Sequence, residues 1–173
     1  MKTTETMVLF WRTAEIYSNW HPAEFEEHGI RFANTEQYMM WCKAKRFSNH
    51  VLAATMLTVS GPKKLKELGR QVSGYQEEVW ERERMPMMVR VCWLKFTQNP
   101  AMRDELLATG DRVLVEASPD DDTWGILLAE DDPRALDPAQ WLGRNLLGYA
   151  LMEVRRLIRA GEEPPALDWL EAA

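Results

Sequence analysis

Glu36 and Lys43 stand seven residues apart in a stretch, Thr35 to Phe47, that contains no Gly or Pro. In a helix seven residues are close to two turns, so both side chains fall on one face, with Met40 between them and Phe47 continuing the stripe. The axial rise between them is about 10 Å, too long for an ion pair but suited to two groups at opposite ends of one cleft. A carboxylate and an amine facing one ligand can divide acid–base work. The same spacing also suits two charges on a solvated helix face.

A second chemical segment is the acidic run Asp120-Asp121-Asp122, followed by Trp124-Gly125. The Trp ring can stack on a base, the glycine lets backbone approach a ligand, and a carboxylate here can lie beside a ribose. Three adjacent acids are equally the mark of a solvated loop, and they lack the spaced ligands and glycine of a calcium loop. A third segment, WLGRNLLG, places Gly143 and Gly148 around a helix start with Asn145 near its N-cap. Free backbone N–H groups there would favour a phosphate. Gly148, Met152 and Arg155 then share a helix face, a line that also fits close helix packing and an internal ion pair. There is no GxGxxG and no GxxxxGK[ST], and His21, His28 and His50 form no metal-ligand pair at helical spacing. No metal and no cofactor are expected.

The elements that must position these residues are mostly helices. VLFW, SNWHP and a turn at Gly29 before IRF predict two or three short strands in the first thirty residues. Asn34 with Gln37 resembles a capping box and opens a helix to about Phe47. HVLAATML predicts a second helix, and Gly61-Pro62 through Gly69 a short third. A helix from about Gln76 to Gln98 should break or kink at Pro86. Another runs from Asn99-Pro100 to Gly110, a short one opens at Asp137-Pro138, and the last covers Asn145 to about Arg159. Its apolar side is Leu147, Ala150, Leu151, Val154 and Ile158. RVLVEAS and TWGILLAE alternate as half-buried strands do. The fold class is α+β, mostly helical, with a few short strands. Residues 1–160 read as a single compact domain, and 161–173 as an acidic, Pro-containing, loosely attached tail.

Composition agrees with one core: 173 residues, 46% hydrophobic, with eight Trp and ten Met. Cys42 and Cys92 lack CxxC spacing and read as buried reduced thiols. No signal-peptide pattern and no apolar run near the roughly 18 residues of a membrane span appears, so no membrane partner and a cytoplasmic location are expected. The net charge of -6 argues against a general nucleic-acid binder. Local basic clusters remain: Lys43, Lys45 and Arg46, then Lys63, Lys64, Lys66 and Arg70. They suit a phosphate-bearing ligand or a solvated surface.

Eight pieces in order carry a family resemblance: SNW at Ser18–Trp20, TEQYMMWCKAKRF at Thr35–Phe47, GR at Gly69–Arg70, Trp80, KFTQNP at Lys95–Pro100, LLATG at Leu106–Gly110, LVEASPDDDTWGI at Leu114–Ile126 and WLGRNLLGYALMEVR at Trp141–Arg155. Together they resemble the NADAR (YbiA-like) family over nearly the whole chain apart from its ends. Leu127 departs from the pattern, since the family usually has a second glycine there, WGIG.

The resemblance implies a hydrolase of ribosyl–nucleobase bonds, an N-glycosidase of the ADP-ribosylglycohydrolase kind. Two substrate classes go with it: ADP-ribose on a guanine base in nucleic acid, which the EQYMM and KAKRF variant favours, and a ribosylamino-pyrimidine intermediate of riboflavin biosynthesis. It implies Glu36, Lys43 and Asp121 as catalytic residues. Asn19, Arg70, Trp80, Glu116, Trp124, Gly125, Asn145 and Arg155 are implied as substrate-binding, with Trp80 and Trp124 beside the base and Arg70, Asn145 and Arg155 toward phosphate. Cleavage builds positive charge on the sugar and negative charge on the base, so Asp121 suits the sugar and Lys43 suits proton donation. Lys43 could instead attack an opened sugar aldehyde as a Schiff-base nucleophile. Two other classes fit the residues: a non-catalytic reader of ADP-ribose or NAD, and an interaction protein whose tail docks through Trp169.

Overall fold

The computed structural model describes residues 1–171. The final two residues of the expected tail lie outside the described residues. The fold is α+β and mostly helical, and the chain groups into two compact units, residues 1–21 with 100–162 and residues 22–99 with 163–173.

In the first unit, β1 (Lys2–Thr3), β2 (Met7–Phe10) and β5 (Val113–Glu116) form a sheet in the order β1-β2-β5. β1 is antiparallel to β2, and β2 is parallel to β5, with Leu9 opposite Val115. Met7, Leu9, Val115, Ala117, Ile126, Leu128 and Ala135 form one buried cluster, with Trp141 packed against it. Helices α5 (Pro100–Ala108) and α6 (Leu146–Ala160) complete the unit, and α6 packs on β5. Leu147, Ala150, Leu151 and Val154 are buried as their spacing requires. Leu157 takes the last buried place, and Ile158 is only half-buried. Asp137-Pro138 opens a short 3-10 turn.

TWGILLAE is not a strand. Ile126 and Leu128 are buried in alternation, but Leu127 between them has φ of 56°, which takes the chain out of extended geometry. Ile126 N–H donates to Glu116 O, and Ile126 O accepts from Leu142 and Gly143 N–H, so the segment is held as a loop.

In the second unit, β3 (Phe25–Glu27) and β4 (Ile30–Phe32) make a hairpin whose turn, His28-Gly29, has φ of 51° and 78°. Two positive values match the type I′ turn that suits strand twist. Helix α1 (Thr35–Arg46) is central, packed by α2 (His50–Met56), α3 (Pro62–Gly69) and α4 (Glu77–Gln98). Asn34 Oδ1 caps it by accepting Gln37 N–H, and Gln37 Oε1 reaches back to Ala33 N–H, one residue further than in the usual box. Phe25 stacks on Phe32, which meets Tyr38 and Trp41 edge-on along the buried side of the helix. Buried Glu27 accepts from Tyr38 Oη and from Arg90 Nε, tying α1, the hairpin and α4 together.

Two expectations change. α4 runs unbroken through Pro86, because proline forfeits only one backbone bond there while Met87, Met88, Val91, Cys92, Leu94 and Phe96 bury beyond it. The tail is not loose either. Pro164 and Leu167 are buried, and α7 (Asp168–Glu171) packs on α1, with Trp169 6.0 Å from the Arg46 guanidinium.

Candidate active site

In the second unit, Glu36 is buried in the first turn of α1, where aligned peptide dipoles favour a carboxylate. Met40 is buried one turn on. A Cβ on Gly69 would fall 2.1 Å from Met40 Sδ, so the absence of a side chain at residue 69 lets the Met40 thioether lie against α3. Lys43 is half-buried, and its Nζ lies 4.3 Å above the centre of the Tyr75 ring. The Tyr75 hydroxyl donates to Glu77 Oε2 at 2.5 Å, and Glu77 Oε1 accepts from buried Arg84, which also pairs with Glu81 at 3.1 Å. Burial pulls the Lys43 amine below the ordinary lysine value; Glu77 opposes this and Arg84 adds to it. Trp80 is 6% exposed and Arg70 is exposed at the end of α3.

In the first unit, Asp121 is the one residue of the acidic run that turns partly inward, while Asp120 and Asp122 are exposed. Its Oδ1 accepts the N–H groups of Thr123 and Trp124 at 3.0 and 2.7 Å, an Asx turn that fixes the loop under the half-buried Trp124. Glu116 is buried at the end of β5. Asn19 is 8% exposed, and its Oδ1 is sealed without a hydrogen bond among the described residues.

The start of α6 is not the anion site its sequence predicts. Arg144, Asn145, Leu146 and Leu147 N–H donate to the carbonyls of Asp122, Gly125, Thr123 and Trp124, so the loop takes the donors a phosphate would need. Asn145 sits at the N-cap but its side chain makes no capping bond; its Oδ1 accepts Glu116 N–H at 2.9 Å and its Nδ2 donates to Leu114 O at 3.0 Å. Gly125 admits the carbonyls of Asp121 and Glu116, each 2.9 Å from where its Cβ would be, so the close approach is by the chain itself. Arg155 is buried, with Nη1 donating to Thr109 Oγ1 and Arg112 O. It lies ten residues after Asn145, about 15 Å along the helix. There it lines a hollow of about 500 Å³ with Asp111, Met152, Arg156, Arg159 and Ala160. Arg156 pairs with Glu153 and Glu162, and Arg159 with Asp111, which balances the charge there.

Comparison with known proteins decides what this framework is. The NADAR domain family matches residues 9–159. The chain belongs to the NADAR family. It is 37% identical over 145 residues to N-glycosidase R617 of Acanthamoeba polyphaga mimivirus, covering 81% of this chain and 85% of that one. It is 35% identical over 176 residues to Protein irg-1 of Caenorhabditis elegans, covering 92% and 83%. Against N-glycosidase YbiA of Escherichia coli K12 it is 29% identical over 154 residues, covering 87% and 88%. The NMR structure of E. coli YbiA matches with a TM-score of 0.74 and 26% identity over 92% of this chain and 89% of that one.

This NADAR chain is accordingly an N-glycosidase, and the family match spans residues from both compact units. Among the described residues no three His, Cys, Asp or Glu side chains gather as metal ligands would, and no helix is long and apolar enough to cross a membrane. Sequence reasoning missed Tyr75, Glu77 and Arg84. The pair Gly74-Tyr75, an aromatic beside a glycine as in Trp124-Gly125, was the available signal. The interplay with Lys43 depends on how the loop between α3 and α4 folds back, which local pattern does not encode.

Proposed function

We propose that this NADAR protein hydrolyses the N-glycosidic bond between ADP-ribose and a guanine base in nucleic acid. The observation that carries the reading is the stripe of α1: a buried carboxylate, Glu36, two turns from a half-buried amine, Lys43, whose proton is loosened by burial. In the reaction the C1′–N bond breaks with its electron pair going to the base, and water supplies the oxygen that joins C1′. Lys43 gives its proton to the departing base, and Glu36 accepts a proton from the water.

A nucleic-acid substrate is supported by the surface of α3. Lys63, Lys66 and Arg70 fall at i, i+3 and i+7, and all three are exposed. Lys64 pairs with Glu67, so the remaining face is cationic on a chain of net charge -6. A phosphate backbone would use that face without requiring a basic protein. Arg70 is the phosphate-side candidate whose guanidinium lies on the surface.

Liquid chromatography of the protein with a guanine-ADP-ribosylated oligonucleotide, and separately with the ribosylamino-pyrimidine, tests the reading. Release of ADP-ribose from the first supports it. Release of ribose phosphate from the second alone would make the enzyme a metabolic hydrolase instead. Tight binding of ADP-ribose with no bond cleaved would make it a reader.

A further inference from the structure

Tyr75 is 37% exposed on the loop between α3 and α4, yet its ring is held from three sides. Lys43 Nζ lies on one face at 4.3 Å, Phe47 meets it edge-on with centroids 5.2 Å apart, and its hydroxyl is anchored on Glu77. Glu77 is itself fixed by Arg84, a buried residue of α4. These contacts hold the ring in one orientation, offsetting the side-chain entropy that ordering it costs.

We propose that Tyr75 is the positioning residue of Lys43: its ring, braced by Glu77, Arg84 and Phe47, holds the ammonium at one place on the stripe that also carries Glu36. The inference rests on Lys43 being the working amine. An ammonium over an aromatic face is attracted by the ring quadrupole, so the plate favours the charged form and restrains a side chain with four rotatable bonds. The charged groups that act on Lys43 among the described residues are Glu77 and Arg84, both of α4. Arg46, one turn on along α1, is paired with Glu83 at 3.6 Å. Tyr75 thereby works against the burial that loosens the proton. It keeps the amine protonated, and in place, until a base arrives to take the proton.

Three proteins test this: wild type, Tyr75→Leu and Tyr75→Phe, with thermal melts to check the fold. Lys43 is titrated by NMR of protein labelled at lysine Cε, and kcat and KM are measured against pH on the guanine-ADP-ribosylated oligonucleotide. Tyr75→Leu is expected to lower the Lys43 titration midpoint by about half a pH unit and kcat by about tenfold, with KM little changed. Tyr75→Phe, which keeps the ring, should hold the Lys43 midpoint within about 0.2 pH unit and kcat within about threefold of wild type. An unchanged Lys43 midpoint in Tyr75→Leu, or a Tyr75→Phe variant as impaired as Tyr75→Leu, would overturn the proposal. The titration needs no turnover. If Lys43→Ala proved active, the catalytic reading would fail while the Tyr75 contact was still judged by the NMR result.

Discussion

Asn145 holds the backbone of Glu116, accepting its N–H at 2.9 Å through Oδ1 while donating to Leu114 O through Nδ2 at 3.0 Å. Both ends of one carboxamide are thus spent on the backbone of strand β5. The residue also sits at φ of 53°, a left-handed conformation that asparagine tolerates better than most.

Asn145→Asp removes the donor and places a carboxylate against a carbonyl oxygen in a buried site. A loss of about 2–3 kcal/mol in folding stability is expected, read as a fall in the urea midpoint. A ligand role for Asn145 would instead leave the midpoint near wild type and raise KM, and that result would contradict the placement.

Gly148 is required by packing. A Cβ there would lie 2.1 Å from Leu114 O and 2.5 Å from Asn145 Nδ2, so Gly148→Ala must push α6 off β5. A cost of about 3 kcal/mol or more follows. Gly161 has φ of 67° and open space around it, so Gly161→Ala should cost only about 1 kcal/mol. Thermal denaturation of the two variants side by side checks the order; equal losses would show that α6 is free to shift.

Leu127 stands at φ of 56°, where a leucine side chain is strained by about 1 kcal/mol or more. Leu127→Gly relieves that strain while giving up a half-buried side chain. The two effects should nearly cancel, leaving stability within about 1 kcal/mol of wild type, whereas large-to-small changes in ordinary core backbone cost about 2–5 kcal/mol. A loss in that higher range would show that the strain is not real.

Much of the fold was legible where the cause is local. Asn34 and Gln37 announced the start of α1, and Pro62 and Asp137-Pro138 opened the turns expected of them. What escaped was set by distant parts of the chain. The alternation of Ile126 and Leu128 is real, yet Glu116, Leu142 and Gly143 take their backbone bonds and make a loop of it. The amides at the start of α6 looked free until the carbonyls of 122–125 folded over them. The Glu36–Lys43 stripe was legible from helical period alone, whereas Tyr75 reaches Lys43 through a loop whose course the sequence does not announce.

The lowered proton affinity of Lys43 has a sign that can be measured. Below its folded value the ammonium is charged in both states, and folding bears the full cost of half-burying it. As pH rises from that value toward the ordinary 10.5, the folded protein loses the proton first and the cost is relieved. Stability should therefore climb over this window in wild type and climb less in Lys43→Met, compared by denaturant midpoints from pH 7 to 10.5. With Lys43 as donor, kcat falls along an alkaline limb below pH 10.5; a rising limb with a borohydride-trapped adduct would make it the nucleophile instead.

The most direct test of the central claim is single-turnover hydrolysis of a guanine-ADP-ribosylated oligonucleotide by wild type and by Lys43→Ala, both shown to be folded by thermal melting. The account predicts release of ADP-ribose and unmodified oligonucleotide by wild type, and a rate at least about a hundredfold lower in the variant. Near-normal release by Lys43→Ala would remove Lys43 from the mechanism, and no release by the folded wild type would refute the proposed substrate.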